Sequence, residues 1–128
     1  MNKLSNFVLI SIPFLAIHGL EEYIGKFYNT DPYFRFVASF IPLSNEMTFI
    51  ISEVLLFLIL IEMYRWLRLK KHTKAISILI GIIFVLEVSH ILDYISMGVY
   101  VPGLITSFPL LILGVLYWKK LLFKEVVR

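Results

Sequence analysis

The chain has 128 residues, of which 59% are hydrophobic, and its mean hydropathy is +0.87. A soluble globular domain is roughly half apolar, so this composition predicts one membrane domain over residues 1–128. The chain contains no cysteine, which excludes disulfides and thiolate metal sites and leaves nitrogen and oxygen as the only metal ligands. The net charge of +3 does not indicate nucleic acid binding, because the basic residues lie beside apolar segments.

Four apolar stretches approach the length of about 20 residues that a helix needs to cross a bilayer. They cover about residues 4–23, 46–64, 74–94 and 102–118. The predicted fold class is therefore all-α: a polytopic membrane protein with a bundle of four transmembrane helices. Ser44 or Asn45 is expected to cap the second helix, and Gly81 and Gly114 are expected to allow close helix packing.

The first connection, about Gly25 to Ser44, is longer than a helical bundle needs. Thr30-Asp31-Pro32 is typical of a helix start and precedes an aromatic-rich run at residues 33–40. We therefore predict a short interfacial helix in this first extracytoplasmic loop. It is expected to lie in the headgroup plane, and the alternative is a lid over a polar site.

Basic residues are concentrated at one side of the predicted bundle. Those between the second and third helices or after the fourth are Arg65, Arg68, Lys70, Lys71, Lys74, Lys119, Lys120, Lys124 and Arg128. Because cytoplasmic loops carry an excess of Lys and Arg, both termini are predicted to face the cytoplasm of a protein that spans the cell membrane. An aromatic belt is expected at the same interface, formed by Tyr64, Trp66, Tyr117 and Trp118.

Ionisable residues interrupt the apolar helices in two short words, HGLEE at residues 18–22 and EVSHILD at residues 87–93. Such a side chain at membrane depth costs at least about 2.5–3.5 kcal/mol on insertion scales, so it indicates a functional site. Glu53 and Glu87 are flanked by apolar residues and must be protonated, paired or metal-bound.

These groups are predicted to meet in one layer. The first and third helices run in the same direction, and at about 1.5 Å per residue they bring His18 and His90 to the same depth below the outer interface. The second helix runs the other way and brings Glu53 to the level of Glu87. Three residues at the edge of this layer are secondary candidates: Asn45, Glu46 and Asp93.

The two polar words also echo one another, since each has a histidine, an acid three residues later and then Tyr-Ile. A duplicated hairpin would bring the two histidine–acid pairs face to face, His18 with Glu21 and His90 with Asp93.

Imidazole and carboxylate together form the ligand set for zinc, iron or manganese. Residues three or four apart share a helix face, which groups His18 with Glu21 and Glu22 and groups Glu87 with His90. Glu-x-x-His is half of the di-iron carboxylate pattern, but the fourth helix carries no acid, so mononuclear and dinuclear sites both stay open. The candidate ligands of a divalent metal are His18, Glu22, Glu53, Glu87 and His90.

These residues resemble those of the HXXEE domain proteins, small integral membrane proteins named for the word that stands here at residues 18–22. The later polar positions of the family resemble Asn45-Glu46, Glu53 and the set Glu87, His90 and Asp93. The resemblance implies a multi-pass membrane fold suspected of enzymatic activity, and it implies no particular substrate.

The leading hypothesis is a membrane-embedded enzyme that acts on a lipid or other apolar small molecule entering from the bilayer. A metal would support hydrolysis or oxidation, and the same groups without a metal would support acid–base isomerisation. Two alternatives stay open: a proton- or ion-coupled transporter, whose path would need a homodimer or a large rearrangement, and a protein with a structural metal. The candidate catalytic residues are His18, Glu21, Glu22, Glu53, Glu87 and His90.

Overall fold

A computed structural model describes residues 3–71 and 73–126. The basic Arg128, counted above for orientation, lies outside the described residues, as do residues 1, 2, 72 and 127. The described chain is helical throughout its regular elements, which confirms the predicted all-α class. The helices are α1 (Lys3–Ile24), α2 (Phe27–Thr30), α3 (Pro32–Ala38), α4 (Asn45–Arg68), α5 (Thr73–Leu86), α6 (Val88–Met97) and α7 (Leu104–Val126).

Four helical segments in the described ranges are long and apolar enough to cross a membrane, as predicted. They are Leu4–Ile24, Asn45–Arg68, Thr73–Met97 and Leu104–Phe123. Since α1 and α5–α6 run one way and α4 and α7 return, α1 begins at the same end of the bundle at which α7 finishes. We call this the terminal end and the opposite one the distal end. That the terminal end faces the cytoplasm stays a prediction from its basic residues.

Polar side chains define the starts of two helices. Ser44 caps α4, because its hydroxyl accepts a hydrogen bond of 3.2 Å from the Met47 amide. Asp31 caps α3 in the same way, through the Phe34 amide at 2.5 Å, and Pro32 follows at the first helical position. Both helix starts agree with the sequence signals.

The third span, Thr73–Met97, is one continuous crossing as predicted, with a local irregularity at Glu87, whose backbone keeps right-handed helical angles (φ −61°, ψ −21°). Regular helix stops at Leu86 and resumes at Val88, and the Ser89 hydroxyl donates a hydrogen bond of 2.7 Å to the Leu86 carbonyl. A serine bonded back to the preceding turn competes with the helical hydrogen bonds. On either side of this irregularity the packing changes: α5 lies against α4 and α7, whereas α6 lies against α7 and the end of α5.

The hydrophobic core fills the half of the bundle next to the terminal end. Tyr117 was expected in the interfacial belt, and this prediction is wrong, because its side chain is 0% exposed in the core. The phenol is accommodated there since it donates a 2.8 Å hydrogen bond to the Ser77 carbonyl. Other fully buried apolar residues of this core are Val8, Leu60, Leu67 and Leu110.

Two glycines let α5 and α7 approach closely, as predicted. A Cβ atom at Gly81 would lie 2.5 Å from the ring of Trp118, whose indole nitrogen donates a 3.0 Å hydrogen bond to the Gly81 carbonyl. A Cβ atom at Gly114 would lie 2.8 Å from Cβ of Phe84. Larger side chains at either position would separate the two helices.

The first connection forms two short helices, α2 and α3, rather than the single one predicted. Their aromatic side chains pack at the distal end against Phe49 of α4. Ring centroids lie 6.4 Å from Phe49 for Phe27, 5.8 Å for Tyr28 and 5.8 Å for Phe34. This aromatic packing holds α2 against α4 over the distal end of the bundle.

Candidate functional site

Two histidines and two glutamates converge inside the distal half of the bundle. His18 and Glu22 lie on α1, Glu87 lies between α5 and α6, and His90 lies one turn further along. Each of the four is only 6–8% exposed, and the two imidazole rings have their centroids 5.0 Å apart. We call these four residues the His/Glu cluster; they meet in one layer, as expected.

The carboxylates of the cluster lie between and beside the imidazoles. Glu22 Oε1 is 3.2 Å from His90 Nε2 and 3.6 Å from His18 Nε2. Glu87 Oε2 is 3.0 Å from His18 Nε2. An isolated charge in an apolar interior is very costly, so the alternation of acids and imidazoles is what makes this burial tolerable.

Two buried atoms of the cluster make no hydrogen bond within the described residues. His90 Nδ1 is one, and Glu87 Oε2 is the other, because its approach to His18 Nε2 lacks hydrogen-bond geometry. Buried polar atoms are nearly always hydrogen-bonded, so such exceptions call for an explanation, and an ion is one of the recognised explanations.

Three members of the cluster form a group that could hold a metal ion: His18, Glu87 and His90. Each offers one ligand atom, and these atoms lie within 4.8 Å of one another. In a tetrahedral site with bonds of about 2.1 Å, ligand atoms are separated by about 3.4 Å. Small side-chain adjustments would therefore close this group around one ion.

Glu21, the other acid of the HGLEE word, turns away from the cluster towards the start of α7. Its Oε1 accepts hydrogen bonds from Tyr100 Oη at 2.6 Å and the Ile105 amide at 3.1 Å. Its Oε2 accepts from the Thr106 amide at 2.9 Å and the Thr106 hydroxyl at 2.6 Å. Glu21 thus satisfies free amides at the positive end of α7.

Tyr100 lies in the connection between α6 and α7, outside the spans. Local desolvation of the phenol, together with the hydrogen bond to Glu21 and the charge of that carboxylate, raises the pKa of Tyr100 to about 12, although the residue is exposed overall. Tyr100 is therefore a neutral donor to Glu21 across the whole range around neutral pH.

Thr106 joins Glu21 to the cluster. Its Oγ1 lies 2.8 Å from His18 Nδ1 as well as 2.6 Å from Glu21 Oε2. Thr106 was not among the candidate catalytic or metal-binding residues, and its signal in the sequence is a polar Thr-Ser pair near the start of an otherwise apolar helix. The contact joins residues 88 positions apart, and helical periodicity does not determine how α1 and α7 are rotated against each other.

Glu53 lies on α4 beside the cluster and is partly buried. A Cβ atom at Gly19 would collide with the Glu53 carboxylate, so this acid packs directly on the backbone of α1. It is close enough to interact electrostatically with His18, Glu22 and Glu87. The structure therefore brings Glu53 to the site, next to the buried four.

Gly103 forms a wall of the site immediately before α7. Its φ of +92° favours glycine, and a Cβ atom there would lie 2.7 Å from His18 Cε1 and 3.0 Å from His90 Cε1. The sequence analysis did not select Gly103, and the Pro-Gly dipeptide at residues 102–103 was its only signal.

The secondary candidates lie at the periphery. Asn45 begins α4, and the exposed Glu46 accepts a 2.7 Å hydrogen bond from Tyr23 Oη. Asp93 is partly buried on α6, where its carbonyl accepts a 3.0 Å bond from Ser96 Oγ. None of the cluster contacts given above involves these three residues. Of the two histidine–acid pairs expected to meet face to face, the imidazoles of His18 and His90 do meet, and the acids Glu21 and Asp93 do not join them.

Phe27 of α2 covers the cluster from the distal end. Its ring centroid lies 5.6 Å from that of His90 on α6 and 6.4 Å from that of Phe49 on α4. Phe27 precedes the predicted helix at residues 33–40 for which a lid was the alternative, so that alternative stays a prediction.

Four apolar spans around this cluster define a multi-pass membrane protein with a buried polar site in its distal half. A family model described as a protein of unknown function with HXXEE motif matches residues 9–118, and the chain belongs to this HXXEE family. No curated protein and no solved structure matches the chain. Within the motif, His18 and Glu22 are cluster members and Glu21 bonds to the start of α7.

Proposed function

We propose that this protein is a membrane-embedded enzyme that uses a divalent metal ion to act on a lipid or other apolar small molecule. The observation that carries the proposal is the buried group of His18, Glu87 and His90, whose ligand atoms lie within 4.8 Å of one another. Buried imidazole and carboxylate groups without cysteine suit zinc, iron or manganese.

The unsatisfied atoms of the cluster support a metal over a purely hydrogen-bonded arrangement. His18 Nε2 and Glu87 Oε2 are 3.0 Å apart without forming a hydrogen bond, as two ligands of one ion would be. A divalent cation would also offset the charge of the buried carboxylates, which otherwise repel one another in a medium of low dielectric constant.

A catalytic role is supported by the acids left over once three ligands are assigned. A catalytic metal keeps a coordination position open, whereas a structural site is closed. Glu22, between the two imidazoles, and Glu53, beside them, are then available to accept or deliver a proton at a substrate bound in that position. The bound ion would supply Lewis acidity or an activated water.

Lateral access from the bilayer is supported by the packing around Glu87. The α5 half of the third span lies against α4, and the α6 half lies against α7 instead. We therefore propose that a substrate enters between α4 and α6, below the Phe27 ring at the distal end. The tightly packed terminal half, with Leu60, Leu67 and Tyr117 fully buried, favours chemistry over transport across the membrane.

Metal binding is the first test. Purified protein in detergent, stripped with a chelator, reloaded separately with Zn²⁺, Mn²⁺ or Fe²⁺ and desalted, is expected to retain about one ion per chain of at least one metal by elemental analysis. His18→Ala, Glu87→Gln and His90→Ala are expected to lose it. Glu62→Gln is the control, because Glu62 pairs with Arg65 at the exposed terminal end of α4.

The loaded and stripped proteins are then incubated with a total membrane lipid extract, and the products are compared by mass spectrometry. Metal-dependent turnover that is lost in Glu53→Gln, with metal retained, supports the enzyme. Failure of the protein to bind any of the three ions contradicts the proposal that it uses a metal. Ion flux driven by a pH gradient in liposomes would instead indicate a transporter. Unfolding of the protein on chelation would indicate a structural metal site.

Phe27→Ala is expected to speed the release of the bound ion to a chelator by about tenfold or more, because it removes the ring that covers His90. Stopped-flow exchange against a coloured chelator measures the rate. Phe34→Ala is the matched control, since Phe34 packs on Phe27 and Phe49. A rate in Phe27→Ala equal to that of the original protein would show that the ring does not limit access.

A further inference from the structure

We propose that Glu21 and Thr106 are positioning residues that hold a proton on Nδ1 of His18 and thereby direct its Nε2 into the cluster. Three atoms carry the proposal: Glu21 Oε2, Thr106 Oγ1 and His18 Nδ1, in a chain with separations of 2.6 Å and 2.8 Å. The chain joins α1 to the first turn of α7, and it assigns different tasks to the two adjacent acids of the HGLEE word.

The direction of the hydrogen bonds follows from counting donors at Glu21. Its two oxygens face Tyr100 Oη at 2.6 Å, the Ile105 amide at 3.1 Å and the Thr106 amide at 2.9 Å, all of which donate. Surrounded by donors, a carboxylate at the positive end of a helix acts as an acceptor only. The Thr106 hydroxyl must therefore donate its single proton to Glu21. Its longer contact of 3.3 Å with the Gly103 carbonyl is the weaker competitor.

The state of His18 follows from the same count. Since the Thr106 proton is committed to Glu21, Thr106 Oγ1 has only lone pairs to offer His18 Nδ1 at 2.8 Å. Nδ1 therefore carries a proton and donates it. Nε2 then either holds a second proton, whose charge the neighbouring carboxylates balance, or has its lone pair free for an ion; this atom lies 3.0 Å from Glu87 Oε2.

A protonated Nδ1 also bears on metal binding, and this effect alone depends on the proposed function. A histidine ligand must present an unprotonated nitrogen, and a partner on the other ring nitrogen selects that tautomer in advance. Removing such a partner typically weakens metal binding by about 10- to 100-fold. Thr106→Val is expected to fall in this range, and Thr106→Ser, which retains the hydroxyl, within about threefold of the original protein.

The tautomer is tested directly by nitrogen NMR of the metal-free full chain in lipid nanodiscs, with ¹⁵N-labelled histidine and the His18 signals assigned by their loss in His18→Ala. The original protein and Thr106→Ser are expected to show a proton on His18 Nδ1. Thr106→Val is expected to lose this preference. Glu21→Gln is expected to weaken this preference, because the amide oxygen that would face the two Thr106 donors accepts the hydroxyl proton less strongly than a carboxylate oxygen does.

A purely structural role of Glu21 as a cap of α7 would lower the melting temperature of these variants without moving the ring proton. An unprotonated Nδ1 in the original protein, or an unchanged Nδ1 proton in both Thr106→Val and Glu21→Gln, overturns the proposal. If Thr106→Val does not fold, the original protein, Thr106→Ser and Glu21→Gln still decide. Because the readout is taken without metal, failure to bind any ion contradicts the proposed function and leaves the NMR result to stand by itself.

Discussion

Glu22→Leu is expected to lower the free energy of unfolding of the metal-free protein by about 3 kcal/mol, the lower part of the range for breaking one partner of a buried charged pair. Glu22 Oε1 is within 3.6 Å of both cluster imidazoles, and it is 3.2 Å from His90 Nε2. Its loss leaves His90 buried without a partner on either ring nitrogen, since His90 Nδ1 already makes no hydrogen bond among the described residues.

Chemical unfolding in detergent, followed by circular dichroism, measures this difference. Glu46→Leu is the matched control: this acid lies at the distal start of α4, is exposed and bonds to Tyr23, so its loss is expected to cost less than about 1 kcal/mol. The double variant Glu22→Leu/His90→Leu is expected to recover stability relative to Glu22→Leu, because it removes the stranded imidazole. Equal stability of Glu22→Leu and Glu46→Leu would contradict the role of Glu22 at the centre of the cluster.

Gly103→Ala is expected to abolish metal binding, with a loss of affinity above about 100-fold, because metal sites depend on ligand positions held within a few tenths of an ångström. The added methyl group would lie 2.7 Å from His18 Cε1 and 3.0 Å from His90 Cε1. Both imidazoles would have to move, and they belong to different helices that pack against the start of α7.

Gly98→Ala separates this collision from the backbone effect. Gly98 also has positive φ, +68° against +92° for Gly103, and a Cβ atom at Gly98 would meet nothing within 4 Å. Both substitutions therefore carry a left-handed backbone cost of about 1–2 kcal/mol, and only Gly103→Ala crowds the site. Isothermal titration with the metal that the protein retains compares the two. A parallel loss of affinity in both variants would show that the backbone, and not the imidazole wall, is responsible.

The chain itself indicated the class of protein, the number of spans and the depth of the polar layer. This was possible because a bilayer imposes a fixed helix length and a high cost on each buried ionisable group. Span length and the positions of ionisable residues can both be read directly along the sequence. With alternating helix directions, counting residues from the interfaces is enough to bring His18, Glu53, Glu87 and His90 to one level. The N-cap at Ser44 depends only on residues close in the sequence, so it was also predicted.

Rotation and packing of the helices were decided only by the tertiary structure. Periodicity allowed Glu21 to share a face with His18, but Tyr100 and the first turn of α7 offer it four hydrogen bonds, two from hydroxyls and two from backbone amides. The sequence predicted Tyr117 at the interface, but in the fold the Ser77 carbonyl gives its hydroxyl a buried hydrogen-bond acceptor.

The sequence by itself determined the four spans and the level of the bundle at which the ionisable groups meet, because the cost of placing such groups in hydrocarbon depends on the residue and its height in the bilayer. The fold alone decided which of them touch, through the irregularity at Glu87, the approach of Gly103 and the contact of Thr106 with His18. The contacts of Gly103 and Thr106 join residues far apart in the chain, and each depends on how one helix is rotated against another, which no local pattern encodes.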